Sequence, residues 1–204
     1  MTMKGTVLMR QRVRRLLLVL TIAAVSCALL VGTAPAHGDR IYGAFAVQGR
    51  IEQAYLGTGG PAAWGNPTTA ESPAARGGRF QRFANNTSFY WHPQVSNGRA
   101  HHVGGTIRAR WASLNWERGP LGYPTNNEQP HPESPTPGVR ANDFQNGAIF
   151  WSARTGARPV WGEIFNTWVR AGATRSTYGL PISDEYRIGN RFAQNYQRGT
   201  ILWP

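Results

Sequence analysis

The chain has 204 residues, with 22 lysines and arginines against 10 acids, a formal net charge of +12, 8 tryptophans and 1 cysteine. That cysteine, Cys27, lies in the N-terminal apolar run, so the remainder offers no disulfide framework, thiol nucleophile or cysteine metal site. Gly-x-Ser-x-Gly, His-Glu-x-x-His and phosphate-loop strings are missing, which removes the commonest hydrolase, metalloprotease and nucleotide-binding readings.

Residues 1–15 carry Lys4, Arg10, Arg12, Arg14 and Arg15 and no acid. Leu16 to Val31 is free of charge, and Ala34-Pro35-Ala36 follows as a small-x-small cleavage site. This reads as a secretory signal peptide over 1–36. Its apolar run falls short of the roughly 20 residues of a membrane span, and membrane attachment is expected only if the signal stays uncleaved. Beyond it, 17 arginines face ten acids, a net charge of +7. For an exported chain no nucleic acid partner is expected, and an anionic wall polymer or membrane surface suits the charge.

From residue 37 onward the sequence is periodic. The first unit, about 47–103, pairs Ile51 with Tyr55, the four-residue spacing of one helix face. Gly65-Asn66-Pro67…Glu71 follows, then an aromatic segment from Phe83 to Trp91. The second unit, about 104–160, repeats the order with Ile107 and Trp111, Gly122-Tyr123-Pro124…Glu128, and Phe144 to Trp151. Between them lies a four-proline stretch, Gln129 to Arg140, expected as a stiff surface excursion. The third, about 161–204, has Ile164 and Trp168, Gly179-Leu180-Pro181…Glu185, and Tyr196 to Trp203. The motif glycines are 57 residues apart both times, as are the prolines and glutamates. Such spacing makes the chain an array.

Each unit reads as a short helix, a Gly/Pro turn and a small antiparallel β-meander, giving an α+β single domain over 37–204. The Asn-Gly and Arg-Gly steps at 146–147 and 198–199 predict tight hairpins. Gly43-Ala44-Phe45-Ala46-Val47 matches Gly156-Ala157-Arg158-Pro159-Val160 at its Gly, Ala and Val. The expectation is therefore a closed array, residues 43–47 completing the last unit by pairing of the two ends, which would leave no sheet edge exposed.

Leu121-Gly122-Tyr123-Pro124, with Ile107 to Trp111 before it and Glu128 and Phe144 to Ser152 after it, resembles the LGFP repeat. The resemblance spans about 43–204 and implies a wall-binding module of mycolate-bearing actinobacteria, attached non-covalently to envelope polysaccharide such as arabinogalactan. The expected location is secreted and cell-wall associated. A module that recruits a separate cell-wall enzyme is the alternative. Copy one departs furthest from the pattern, with Asn66 at the aromatic position and a hairpin one residue longer, and is expected to be the least competent binder.

Sugars present apolar faces edged by hydroxyls, so their sites pair aromatic faces with planar polar groups. Outside the repeated frame, the aromatic candidates for ligand binding are Trp64, Trp116, Tyr123, Trp161 and Tyr178, each equally placed to seal an interface between units. Glu71, Glu128 and Glu185 are candidate acceptors for sugar hydroxyls, against a structural role on backbone N–H groups. The residues varying beside them, Asn126, Asn127 and Asp184, are where specificity would reside. The repeated Trp91, Trp151 and Trp203, and Tyr55, Trp111 and Trp168, are expected in the core. His92, His101 and His102 are expected to be solvated. No catalytic residue, metal or cofactor is expected.

Overall fold

The computed structural model describes residues 40–204; the signal-peptide reading falls outside them. The chain opens with β1 (Arg40–Tyr42) and β2 (Phe45–Val47), joined by a two-residue turn and paired antiparallel, Tyr42 opposite Phe45. Then come α1 (Gly49–Gly57), a single turn α2 (Gly60–Trp64), β3 (Ser72–Pro73), β4 (Arg79–Phe83), β5 (Thr87–Trp91) and β6 (His101–Gly104). The pattern repeats with α3 (Gly105–Ser113), β7 (Gln129–Pro130), β8 (Arg140–Phe144), β9 (Gly147–Ser152) and β10 (Gly156–Trp161). It repeats again with α4 (Gly162–Arg170), β11 (Tyr186–Ile188), β12 (Arg191–Tyr196) and β13 (Gly199–Trp203).

The sheets are antiparallel meanders ordered β3-β4-β5-β6, β7-β8-β9-β10 and β11-β12-β13. The fold is α+β, as the sequence predicts. β6 and β10 each finish one sheet and run straight into the next helix, so the unit boundaries pass through shared strands. The residues 43–47 do hold this linking position, ahead of α1. They pair, however, with β1 and not with β13, so the expected end-to-end closure is corrected: the described residues form an open array. A two-residue hairpin needs little chain entropy, whereas joining the ends needs a long loop.

The three nine-residue helices place the same positions inward. Ile51, Ile107 and Ile164, and Tyr55, Trp111 and Trp168, are at most 2% exposed. They anchor three aromatic cores. One gathers Val47, Ile51, Tyr55, Phe83 and Phe89. The next joins Tyr90, Val95 and Val103 of the first unit to Ile107, Trp111, Tyr123 and Phe144 of the second. The last joins Val139, Phe150 and Val160 to Ile164, Trp168, Leu180 and Tyr196. Successive units therefore complete one another's cores, the usual physics of a repeat array.

The motif glycines sit at φ of +68°, +73° and +75° (Gly65, Gly122, Gly179), where a side chain is strained. The prolines that follow bridge to the second strand of each sheet: Pro67 to Phe83 of β4, Pro124 to Phe144 of β8, Pro181 to Tyr196 of β12. The hairpin expectation shifts by one residue, since Phe144 faces Gly147 and the turn is Gln145-Asn146. Gly147 is required for space instead: a Cβ there would lie 2.1 Å from the Val160 carbonyl oxygen. In copy one the turn is Ala84-Asn85-Asn86, with Asn86 left-handed at φ +47°. The proline stretch also does more than extend into solvent. Val139 enters the last core, and Arg175 donates to the Glu133 carbonyl at 3.0 Å.

Candidate functional site

A carboxylate, a guanidinium and an indole converge in copies one and two. In the first sheet Arg79 lies directly opposite Trp91, and in the second Arg140 lies opposite Trp151. Directly opposed residues of an antiparallel pair share a face. Each arginine is held by the motif glutamate: Arg79 Nε donates to Glu71, and Arg140 Nε to Glu128 Oε1 at 2.6 Å. Each tryptophan is the fifth residue of its strand, last in β5 and followed by Ser152 in β9; the four residues before it are buried on both faces, and there the indole emerges half-buried. Its N–H is spoken for in copy one, donating to the Gly98 carbonyl at 2.9 Å; the ring face is what remains to offer.

Copy one is the open version. Glu71, Arg79 and Trp91 line a cleft of about 370 Å³ together with Gln48, Arg50 and Ile51 at the start of α1. In copy two the same junction is drawn together, because Glu128 Oε2 accepts the Gly104 N–H at 3.2 Å. Copy three departs: Phe192 stands opposite Trp203 where the others have arginine, and burial pushes the Glu185 carboxyl above its ordinary value. The expectation that copy one is least competent is thus set against a structure in which it carries the open cleft.

The five candidate aromatics lie elsewhere. Trp64 packs on His102 (ring centroids 4.3 Å) and donates to Thr58 Oγ1 at 2.9 Å. Trp116 stacks edge-on against Trp111 at 5.3 Å under the Arg108 guanidinium. Trp161 packs against the core shared by units one and two, and Tyr178 against Tyr196 at 5.8 Å. Tyr123 is 1% exposed. Its hydroxyl donates to the Ala75 carbonyl of the first unit, while Glu117 accepts the Ala75 N–H at 2.9 Å. Tyr123 therefore presents no face to a ligand; Trp116, Trp161 and Tyr178 pack on cores shared between units, whereas Trp64 packs on the core of its own unit.

Asn126 is occupied by Asp143, accepting its N–H at 2.7 Å and donating to Oδ2 at 2.6 Å. Asn127 accepts the His102 N–H at 3.1 Å, and Asp184 bridges Arg110 and Arg158. His92 and His102 are buried, not solvated; His92 Nε2 lies 2.8 Å from the Arg76 carbonyl oxygen. Trp91, Trp151, Arg79 and Arg140 are the site residues that sequence reading missed.

Both matched segments of the family comparison begin at this motif: the LGFP repeat pattern covers residues 65–119 and 121–176. The chain belongs to the LGFP repeat family. No curated protein matches it. LGFP repeats are a repeat-module family, not a catalytic one. The helix, turn and three-stranded sheet from α4 onward follow the element order of the two preceding units, and the second match stops at residue 176.

Proposed function

We propose that the chain is a secreted, non-catalytic repeat protein that binds cell-wall polysaccharide, with arabinogalactan the polymer suggested by the family resemblance. The observation that carries this reading is the repeated Glu–Arg–Trp arrangement. An indole face takes the apolar C–H face of a sugar ring, and the flanking carboxylate and guanidinium take its hydroxyls. Copies at two positions let weak contacts add along a repeating polymer. The positive charge of the mature chain favours an anionic envelope at longer range, an effect that salt screens.

Retention of the chain on purified arabinogalactan, and on peptidoglycan stripped of it, tests the reading at low and high salt. Salt-resistant retention on arabinogalactan supports it; retention on neither, or only at low salt, overturns it.

The second reading is a protein-interaction module that recruits a wall enzyme. It rests on the third sheet, where Tyr186, Ile188, Leu202 and Trp203 are 39–56% exposed. Tyr186 and Leu202 flank Ala193 in one row, an apolar patch of the kind that marks protein contacts. Binding to a wall enzyme that survives added oligosaccharide and fails in Leu202→Ser would favour it.

A further inference from the structure

The two junctions between successive units are built on the same positions and filled differently. At the second junction Arg110, the sixth residue of α3, reaches Asp184 in the following unit's loop, and Arg158 of β10 approaches the other carboxylate oxygen at 3.6 Å. One acid inside the chain thus serves two guanidiniums. At the first junction the sixth residue of α1 is Ala54, the residue in the place of Arg158 is His101, and the residue in the place of Asp184 is Asn127. The bridge is gone, and a groove of about 340 Å³ remains there.

That groove is lined by Arg50, Gln53, Ala54, Arg99, His101 and Asn127, among others, and by no carboxylate. Among the described residues, neither Arg50 nor Arg99 has an acidic side chain within ion-pair distance. The Arg50 guanidinium donates to Gln53 Oε1 at 2.9 Å, a neutral partner. His101 is fixed in the groove wall, its Nε2 2.7 Å from Ser96 Oγ and its Nδ1 3.4 Å from Asn127 Oδ1.

We propose that the groove between the first and second units is an oxyanion subsite, in which a carboxylate or phosphate group of the ligand takes the part that Asp184 plays at the second junction. Guanidinium forks suit both groups, and two of them over a half-enclosed hollow hold the anion with less solvent screening than on an open surface. The ring of His101 sits within the site and reports on it. Burial and the nearby Arg99 hold its pKa below the ordinary 6.5, partly offset by the Asn127 hydrogen bond. An anion seated beside it favours the charged imidazolium and raises that pKa.

The proposal does not rest on the polysaccharide reading, because Arg99, His101 and Asn127 stand apart from the Trp91 cleft. Arg50 lines both and is left untouched in the test. The experiment follows the His101 imidazole by NMR across a pH titration of the chain, in sodium glucuronate, inorganic phosphate or chloride at matched ionic strength. The expected result is a saturable rise of about 0.5 or more in the His101 pKa with glucuronate, phosphate or both, and none with chloride. Response to glucuronate alone identifies a carboxylated sugar as the source, and response to phosphate alone a phosphate ester. The rise disappears in Arg99→Gln, and in Ala54→Arg/Asn127→Asp, which builds the second junction's bridge into the first. Arg99 is exposed, so its replacement leaves the fold intact, and unchanged His102 signals check this. An equal rise with chloride, or an undiminished rise in Arg99→Gln, overturns the proposal.

Discussion

Trp168 donates its indole N–H to the carbonyl oxygen of Gly179 at 3.0 Å, tying α4 to the motif glycine of its own unit. Tyr55 makes the corresponding bond to Gly65 at 2.9 Å, with a hydroxyl in place of an indole. Different donors thus meet the same need: the left-handed glycine turns a buried carbonyl toward the helix, and an unpaired one is expensive. Tyr55→Phe keeps the ring and removes the donor. Urea unfolding is expected to show a loss of about 1–2 kcal/mol; no change in midpoint would mean that water serves the carbonyl equally well.

The backbone of Ala75 is clamped from the second unit on both sides, its N–H by Glu117 and its carbonyl by Tyr123. Burial is the first cause that pushes the Tyr123 hydroxyl up to about 12, with Glu117 adding to it, so it remains a donor at any physiological pH. Glu117→Gln and Tyr123→Phe should each destabilise by about 1–3 kcal/mol. Because both grip one residue through its adjoining peptide groups, a double-mutant cycle should show coupling of at least about 0.5 kcal/mol, and strict additivity would contradict the clamp.

His102 sets an acid limit. Burial is the main cause that lowers its pKa from 6.5 to about 4, with His101 and Arg140 contributing in the same direction. Between those values the unfolded chain binds the proton that the folded chain refuses, so stability falls as pH drops from about 6.5 to about 4 and is fully present above. The contribution is of order 3 kcal/mol across that window. His102→Phe, which keeps an aromatic ring against Trp64, should flatten this part of the stability curve measured by denaturant unfolding. An unchanged slope would place the acid sensitivity elsewhere.

Gly147 and Gly156 are both strand glycines with different reasons to be glycine. A Cβ at Gly147 would lie 2.1 Å from the Val160 oxygen, whereas Gly156 has φ +68° and open space around it. Gly147→Ala must displace β10 and is expected to lower stability by about 3 kcal/mol or more, Gly156→Ala by about 1 kcal/mol. Thermal melts that rank the two the other way would contradict the close packing of β9 against β10.

Much of the frame was legible because the sequence repeats it. The 57-residue interval fixed the glycine turns, and the four-residue pairs Ile51–Tyr55, Ile107–Trp111 and Ile164–Trp168 located three helices and their buried faces. Closure was not legible: the match of 43–47 to 156–160 identifies a linking strand correctly, but matching cannot say that the adjacent Arg40–Tyr42 takes its pairing edge. The arginines of the candidate site escaped because their offset from the glutamate is 8 residues in copy one and 12 in copy two, the proline stretch having been inserted between them. Trp91 and Trp151 escaped for another reason. They continue strands buried on both faces, and only at the fifth strand residue are the rings left half-open. Tyr123 occupies the family's aromatic position, and that position turns inward onto the neighbouring unit.

The most direct measurement compares retention on arabinogalactan at high salt between the chain and its Trp91→Ala/Trp151→Ala variant, with urea midpoints confirming that both are folded. Retention of the chain and at least a tenfold loss in the variant, about 1.4 kcal/mol, is the predicted result. Undiminished retention by a folded variant would show that these indoles are not the binding surface.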